Sequence, residues 1–346
     1  MLLKQNRIET IDTMRVIAML AVIQIHSPWH GATDAVSLNS ATILNYLMRF
    51  AVPFFFVISG YLWSARCAST DQYWPRSVAI TKRALLIFCF WSLIYAAAES
   101  VRLGQEGGMR SVVARMVSVV HPFHPLGFVN SVLEGTKTHL WFLPSLAMAA
   151  SISGALLARR RERTLFVLAI VLFALGLAGS AYSQTPYGFT VNFNFWNGPF
   201  LSLIMFVSGY AIYRYGQGIA LLPVGIGLTM GGFALQLVES IWIHQKWGAP
   251  FAHDYVAGTY FFGVGMSMIA LSNAPLLRIK SLASIGPLIL GVYASHFFFV
   301  ERIHQLEGVV DEPYFREVVW IAIVFSLALA TSFVLARWRP TKQFVT

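Results

Sequence analysis

The chain has 346 residues, 57% of them apolar and 12% charged, with a formal net charge of +10. A soluble domain is about 45–50% apolar and about 25% charged, so there is too little polar surface here to cover a water-exposed globule. The composition reads as one integral membrane domain, 1–346, in which the positive charge marks cytoplasmic loops rather than a nucleic-acid face.

A helix needs about 20 mostly apolar residues to cross a bilayer. Such runs recur ten times, at roughly 11–30, 42–64, 78–98, 139–158, 164–182, 198–214, 219–243, 255–272, 282–300 and 317–337. The expected fold is all-α: a polytopic membrane bundle of about ten transmembrane helices. Basic residues then fall on alternate loops. Lys4, Arg7, Arg66, Arg76, Lys82, Arg83, the run RRRER (159–163), Arg214, Arg278, Lys280, Arg337, Arg339 and Lys342 share one side. Lys246, Arg302 and Arg316 are the basic residues of the short loops opposite. Positive charge favours the cytoplasmic side, which puts both termini there. Two cysteines, Cys67 and Cys89, form no metal or redox spacing and imply no disulfide framework.

The first run carries the most informative residues. Lys4 and Arg7 precede a short apolar stretch, as in a signal peptide. Asp12 and Arg15 on its approach, and the lack of a small-x-small cleavage site, favour a retained helix. Eleven residues separate Arg15 from His26. That is about three turns, so both project from nearly the same face, about 16 Å apart along the axis. Asp12 stands one turn before Arg15, at ion-pair spacing. Ionisable groups within spans are costly and mark cavities or pathways.

Further along, Arg49 precedes AVPFFF inside the second run. FVISGYLW (56–63) and FVSGYAIY (206–213) echo each other. Their Ser-Gly pairs permit close helix approach; a direct ligand role is the alternative. A long extracytoplasmic loop is expected at about 99–138, with an amphipathic stretch MRSVVARMVSVV for the interface and a turn HPFHP (121–125). No third ligand accompanies those two histidines, so no metal is expected. His139 opens the fourth run. SIGPLILG (284–291) interrupts the ninth, which continues with Tyr293, His296, Glu301 and Arg302.

Arginine offers a planar fork of donors to phosphate or carboxylate, and histidine takes a proton from a hydroxyl near neutral pH. An anionic donor meeting a hydroxyl acceptor would make this acyl transfer. A secondary transporter of an organic anion or a proton-coupled solute could use the same parts, with SIGPLILG as its broken helix.

Four segments carry a resemblance. IDTMRVIAMLAVIQIH (11–26) looks like the first-helix signature of the acyltransferase 3 family. PFFFVISGYLW, HLWFLPSL and LGVYASHFFFV resemble its second-helix, mid-chain and late Tyr-x-x-His motifs. The family's usual Leu-Asp-Gly-Leu-Arg opening is Ile-Asp-Thr-Met-Arg here, with the charged positions intact. The resemblance implies a standalone O-acyltransferase of the bacterial inner membrane. Its donor would be acyl-CoA, often acetyl-CoA. Its acceptor would be a sugar hydroxyl of a surface polysaccharide or lipid-linked glycan. It makes Arg15 and His26 the essential pair. Burial and alignment with Arg15 make His26 the expected general base, with Arg15 binding an anionic part of the donor or bracing the reaction centre through other groups. His296, His139, Arg49, Glu301, Tyr293 and Asp12 form a second tier for catalysis or substrate binding. Because 16 Å separates the pair, either the long CoA spans it, or the helix breaks, or a covalent relay intervenes, for which Ser59 and Cys89 are the weak options.

Overall fold

The computed structural model describes residues 8–26, 40–120, 125–303 and 313–346. These residues are helical, with no strand among them. In chain order the helices are α1 (Glu9–Ile25), α2 (Ser40–Met48), α3 (Ala51–Ala65), α4 (Tyr73–Val120), α5 (Pro125–Glu134), α6 (Phe142–Ala158) and α7 (Glu162–Gly179). They continue as α8 (Pro199–Tyr215), α9 (Leu221–Trp247), α10 (Ala257–Leu271), α11 (Lys280–Ile285), α12 (Ile289–Ile303), α13 (Pro313–Arg337) and α14 (Arg339–Lys342).

Each expected apolar run meets a helix, but among the described residues only seven are long and apolar enough to cross a membrane. By length and composition, seven of the ten expected spans are supported. Helices α1 and α8 have 17 residues and α10 has 15. At 1.5 Å per residue these span about 22–26 Å, short of the roughly 30 Å hydrocarbon core. The protein is nonetheless a multi-pass membrane protein by its seven long apolar helices.

Segment 99–138, expected as a long loop with an amphipathic stretch, carries helix. Helix α4 runs on to Val120 with a break at Gly108, where φ is 66° and ψ −166°. Only glycine adopts that conformation freely. Helix α5 follows, so most of the segment is helical. HPFHP lies outside the described residues, apart from the backbone of Pro125.

The chain forms two compact units, 1–61 with 208–346, and 62–207. In the first, α1 is the centre. Twelve of its 17 residues are buried, all round rather than along one stripe, as in a helix enclosed by others. It packs against α2, α10, α11, α12 and α13. Helices α9 and α10 meet backbone to backbone. Gly225 and Gly232 of one face Gly258 and Gly265 of the other, where an added Cβ would come within 3 Å of the opposite main chain. Small residues allow such contact in membranes. The C-terminal residues return to α12, where Gly291 N–H donates to Val345 O at 3.1 Å.

In the second unit, α4 lies along α6, tied by Thr81 Oγ1 and Ser151 Oγ at 2.8 Å. Helix α7 buries only Leu165, Ala169 and Gly176, leaving an apolar outer face that suits lipid. RRRER spans the turn between α6 and α7 and the first two residues of α7, with all four arginines exposed.

Candidate active site

Helix α1 presents chemistry at both ends. At its start, Asp12 Oδ1 accepts from Arg15 Nη1 at 2.9 Å, the ion pair the i,i+3 spacing suggests. Asp12 is buried, while the Arg15 side chain keeps 30% of its exposure. Thr10 Oγ1 donates to Ala270 O at 2.6 Å, fixing this end to α10. The SIGPLILG interruption is real: α11 stops at Ile285, a tight turn covers Gly286–Leu288, and α12 begins at Ile289. Gly286 presses on Asp12, where a Cβ would stand 2.7 Å from the Asp12 Cβ.

At the other end, His26 terminates the helix, its N–H bonded to Ile23 O at 3.0 Å, and is half-buried. The fully buried His296 ring lies beside it, centroids 5.8 Å apart and tilted 38°. Phe297 stands edge-on to both rings, 5.3 Å from His26 and 6.1 Å from His296. His296 Nδ1 meets Tyr293 O at 2.6 Å. A carbonyl only accepts, so Nδ1 carries the proton and Nε2 is the basic nitrogen of the neutral ring. Tyr293 thus fixes the tautomer through its backbone, with its own ring 6.2 Å from His296.

Two residues unsuspected from the sequence tie α1 to α13. Gln24 Nε2 donates to Glu317 Oε1 at 3.2 Å, and both are buried. Glu317 opens an apolar run, where a carboxylate looks like an interface residue. The remaining second-tier residues have other surroundings. Arg49 stands over Tyr46, 5.6 Å from ring centre, and donates to Asn45. Glu301 is exposed on α12. His139 belongs to the second unit, buried edge-on against Tyr95 at 5.4 Å. Ser59 Oγ donates to Phe55 O at 2.7 Å, and Cys89 is exposed. Among the described residues no three His, Cys, Asp or Glu side chains group as metal ligands.

A family model described as an acyltransferase domain, that of the acyltransferase 3 family, matches residues 8–337. The chain belongs to the acyltransferase 3 family. This member of the family is similar to a serine/alanine racemase of Enterococcus gallinarum, 27% identical over 68% of this chain and 33% of the racemase. It is also similar to an amino-acid racemase of Enterococcus faecalis, 24% identical over 96% of this chain and 46% of that protein. The chain therefore spans a third to just under half the length of these curated relatives. No solved structure matches it. Helix α1 is unbroken from Glu9 to Ile25. Arg15 and His26 thus remain about 16 Å apart along its axis, and the helix break expected as one way to bring them together does not occur.

Proposed function

We propose that this acyltransferase moves an acyl group, acetyl in the simplest case, from cytoplasmic acyl-CoA to a sugar hydroxyl. The acceptor is a surface polysaccharide or a lipid-linked glycan. The protein sits in a bacterial inner membrane with both termini cytoplasmic and ten crossings of α1, α2–α3, α4, α6, α7, α8, α9, α10, α11–α12 and α13. The observation that carries this reading is the His26–His296 pair at one end of an unbroken helix whose other end holds Arg15 on Asp12.

Asp12 orients the guanidinium, which binds an anionic part of the donor. The CoA then lies along α1 with its thioester near His26. His26 takes the proton of the acceptor hydroxyl as that oxygen attacks the thioester carbonyl. The carbon–sulfur bond breaks, and the proton passes from His26 to the departing thiolate, giving ester and free CoA. His296 abuts the reacting imidazole as a positioning residue, its own proton held on Nδ1 by Tyr293. General-base assistance of this kind is worth about 10²–10⁴-fold.

The transporter reading gives way to family membership, and contact with Asp12 accounts for the helix break at Gly286–Leu288. Racemisation stays with the relatives, which are more than twice as long as the stretch they share with this chain. Purified protein in nanodiscs, given labelled acetyl-CoA and envelope glycan, tests the proposal. Acceptor-dependent CoA release with label in an alkali-labile ester supports it. Wild-type protein that forms no ester with any envelope glycan sinks it. Comparing surface glycans of cells with and without the protein would identify the missing ester and hence the acceptor.

A further inference from the structure

Helix α10 begins late, and the reason is a link that folds back. Glu239 stands about two turns, roughly 12 Å, before the end of α9. Yet its carboxylate already caps α10, accepting Ala257 N–H at 2.9 Å and Gly258 N–H at 3.0 Å. One turn earlier still, Gln236 accepts from Thr259 Oγ1 and donates to Tyr46 O, both at 2.9 Å. The non-helical link 248–256 therefore lies alongside α9 instead of beyond its end. Irregular backbone at such depth persists only where protein buries it or where it lines a cavity. Phe251, His253, Tyr255 and Val256 of this link are buried.

Arg49, at the junction of α2 and α3, stands on the same Tyr46, whose hydroxyl donates to Phe251 O. Among the described residues the guanidinium makes one hydrogen bond, Nε to Asn45 Oδ1 at 2.8 Å, and no ion pair. Glu239 is committed to the α10 N-terminus, and Asp254 feels the Arg49 charge without pairing with it. His253 is 8% exposed, and its Nε2 has no hydrogen-bond partner among the described residues.

An arginine inside an apolar span is costly unless its charge is met, and its planar fork matches two oxygens of one anion. We infer that Arg49, with Tyr46 and His253 of the 248–256 link, forms a binding site for an oxyanion, phosphate or carboxylate, carried by the acyl acceptor. The inference rests on the acyl-transfer reading for what carries the anion. Arg49 Nη1 and Nη2 hold two oxygens side by side. His253, in its Nε2–H tautomer, donates to the same ligand and thereby satisfies its buried nitrogen.

The full chain in nanodiscs of neutral lipid is titrated with farnesyl phosphate, glucose 1-phosphate and glucuronate, with farnesol and glucose as uncharged controls. At least one oxyanion binds where its uncharged control does not. Arg49→Gln weakens that binding at least about tenfold, the loss of a charge-assisted contact. Arg49→Lys, which keeps the charge and loses the fork, falls between. His253→Gln weakens it less, and Lys246→Gln, at an exposed cation nearby, leaves it unchanged. Preference for farnesyl phosphate identifies a lipid-linked acceptor, glucose 1-phosphate a soluble sugar phosphate, and glucuronate an acidic sugar. Wild-type protein that does not separate oxyanions from controls overturns the site, as does Arg49→Gln or Arg49→Lys, monodisperse and inserted, binding as wild type. Acetyl transfer is assayed separately on wild type: anion binding without transfer keeps the site and removes the reaction.

Discussion

Alanine at Gly209 tests how α3 and α8 cross. An added Cβ would stand 1.9 Å from Val57 O and 2.6 Å from Tyr61 N. A carbon and a carbonyl oxygen rest at about 3.3–3.6 Å, so the helices must part locally by about 1.5 Å. Both obstacles are main chain, which cannot swing aside as a side chain does. Parting also loosens the Tyr61–Tyr213 ring contact, centroids 5.4 Å apart; a gap of about 0.5–1 Å already forfeits a quarter to a half of each contact energy. Overpacking ordinarily costs about 1–3 kcal/mol, and a backbone-on-backbone clash belongs at about 3 kcal/mol. Gly227 on α9 is the control, since nothing lies within 4 Å of an added Cβ there. Alanine at that site stabilises the helix by about 0.5–1 kcal/mol. Unfolding of purified protein by SDS titration reads both: the midpoint falls for Gly209→Ala and rises slightly for Gly227→Ala. A Gly209→Ala midpoint equal to wild type would refute the close crossing.

His26→Ala lowers acetyl transfer by about 10²–10⁴-fold while membrane insertion stays intact; a fully active variant would remove the general base. Arg15→Lys keeps the charge but loses the fork, so KM for acetyl-CoA rises more than kcat falls, and an unchanged KM would count against donor binding there. Gln236→Leu leaves the buried Tyr46 carbonyl and Thr259 hydroxyl short of partners, costing about 1–3 kcal/mol, read by the same SDS titration.

Local features of this fold were legible in the sequence. Hydropathy alone located every helix that meets an apolar run, and the i,i+3 spacing placed Asp12 on Arg15. What escaped was tertiary. Helix α10 is short because the link 248–256 runs beside α9, and no local pattern in GAPFAHDYV encodes that depth. Glu317 opens an apolar run and so resembles an interface residue, although α1 packs over it and Gln24 binds it. The motifs marked His26 and His296 separately; only folding brings residues that far apart in the chain to 5.8 Å. The echo of FVISGYLW and FVSGYAIY finds its meaning in one crossing, where Gly209 meets Val57 and Tyr61.

The segment 280–303 is fastened to α1 twice, by Gly286 against Asp12 and by His296 against His26. Between the two ties the residues are largely apolar and look interchangeable. They are not free to change in number. One inserted residue would turn the far end of α12 by about 100° and slide it about 1.5 Å, carrying the His296 ring off its partner while Gly286 stayed seated. The spacing of this stretch is therefore held as tightly as the identity of the residues it connects.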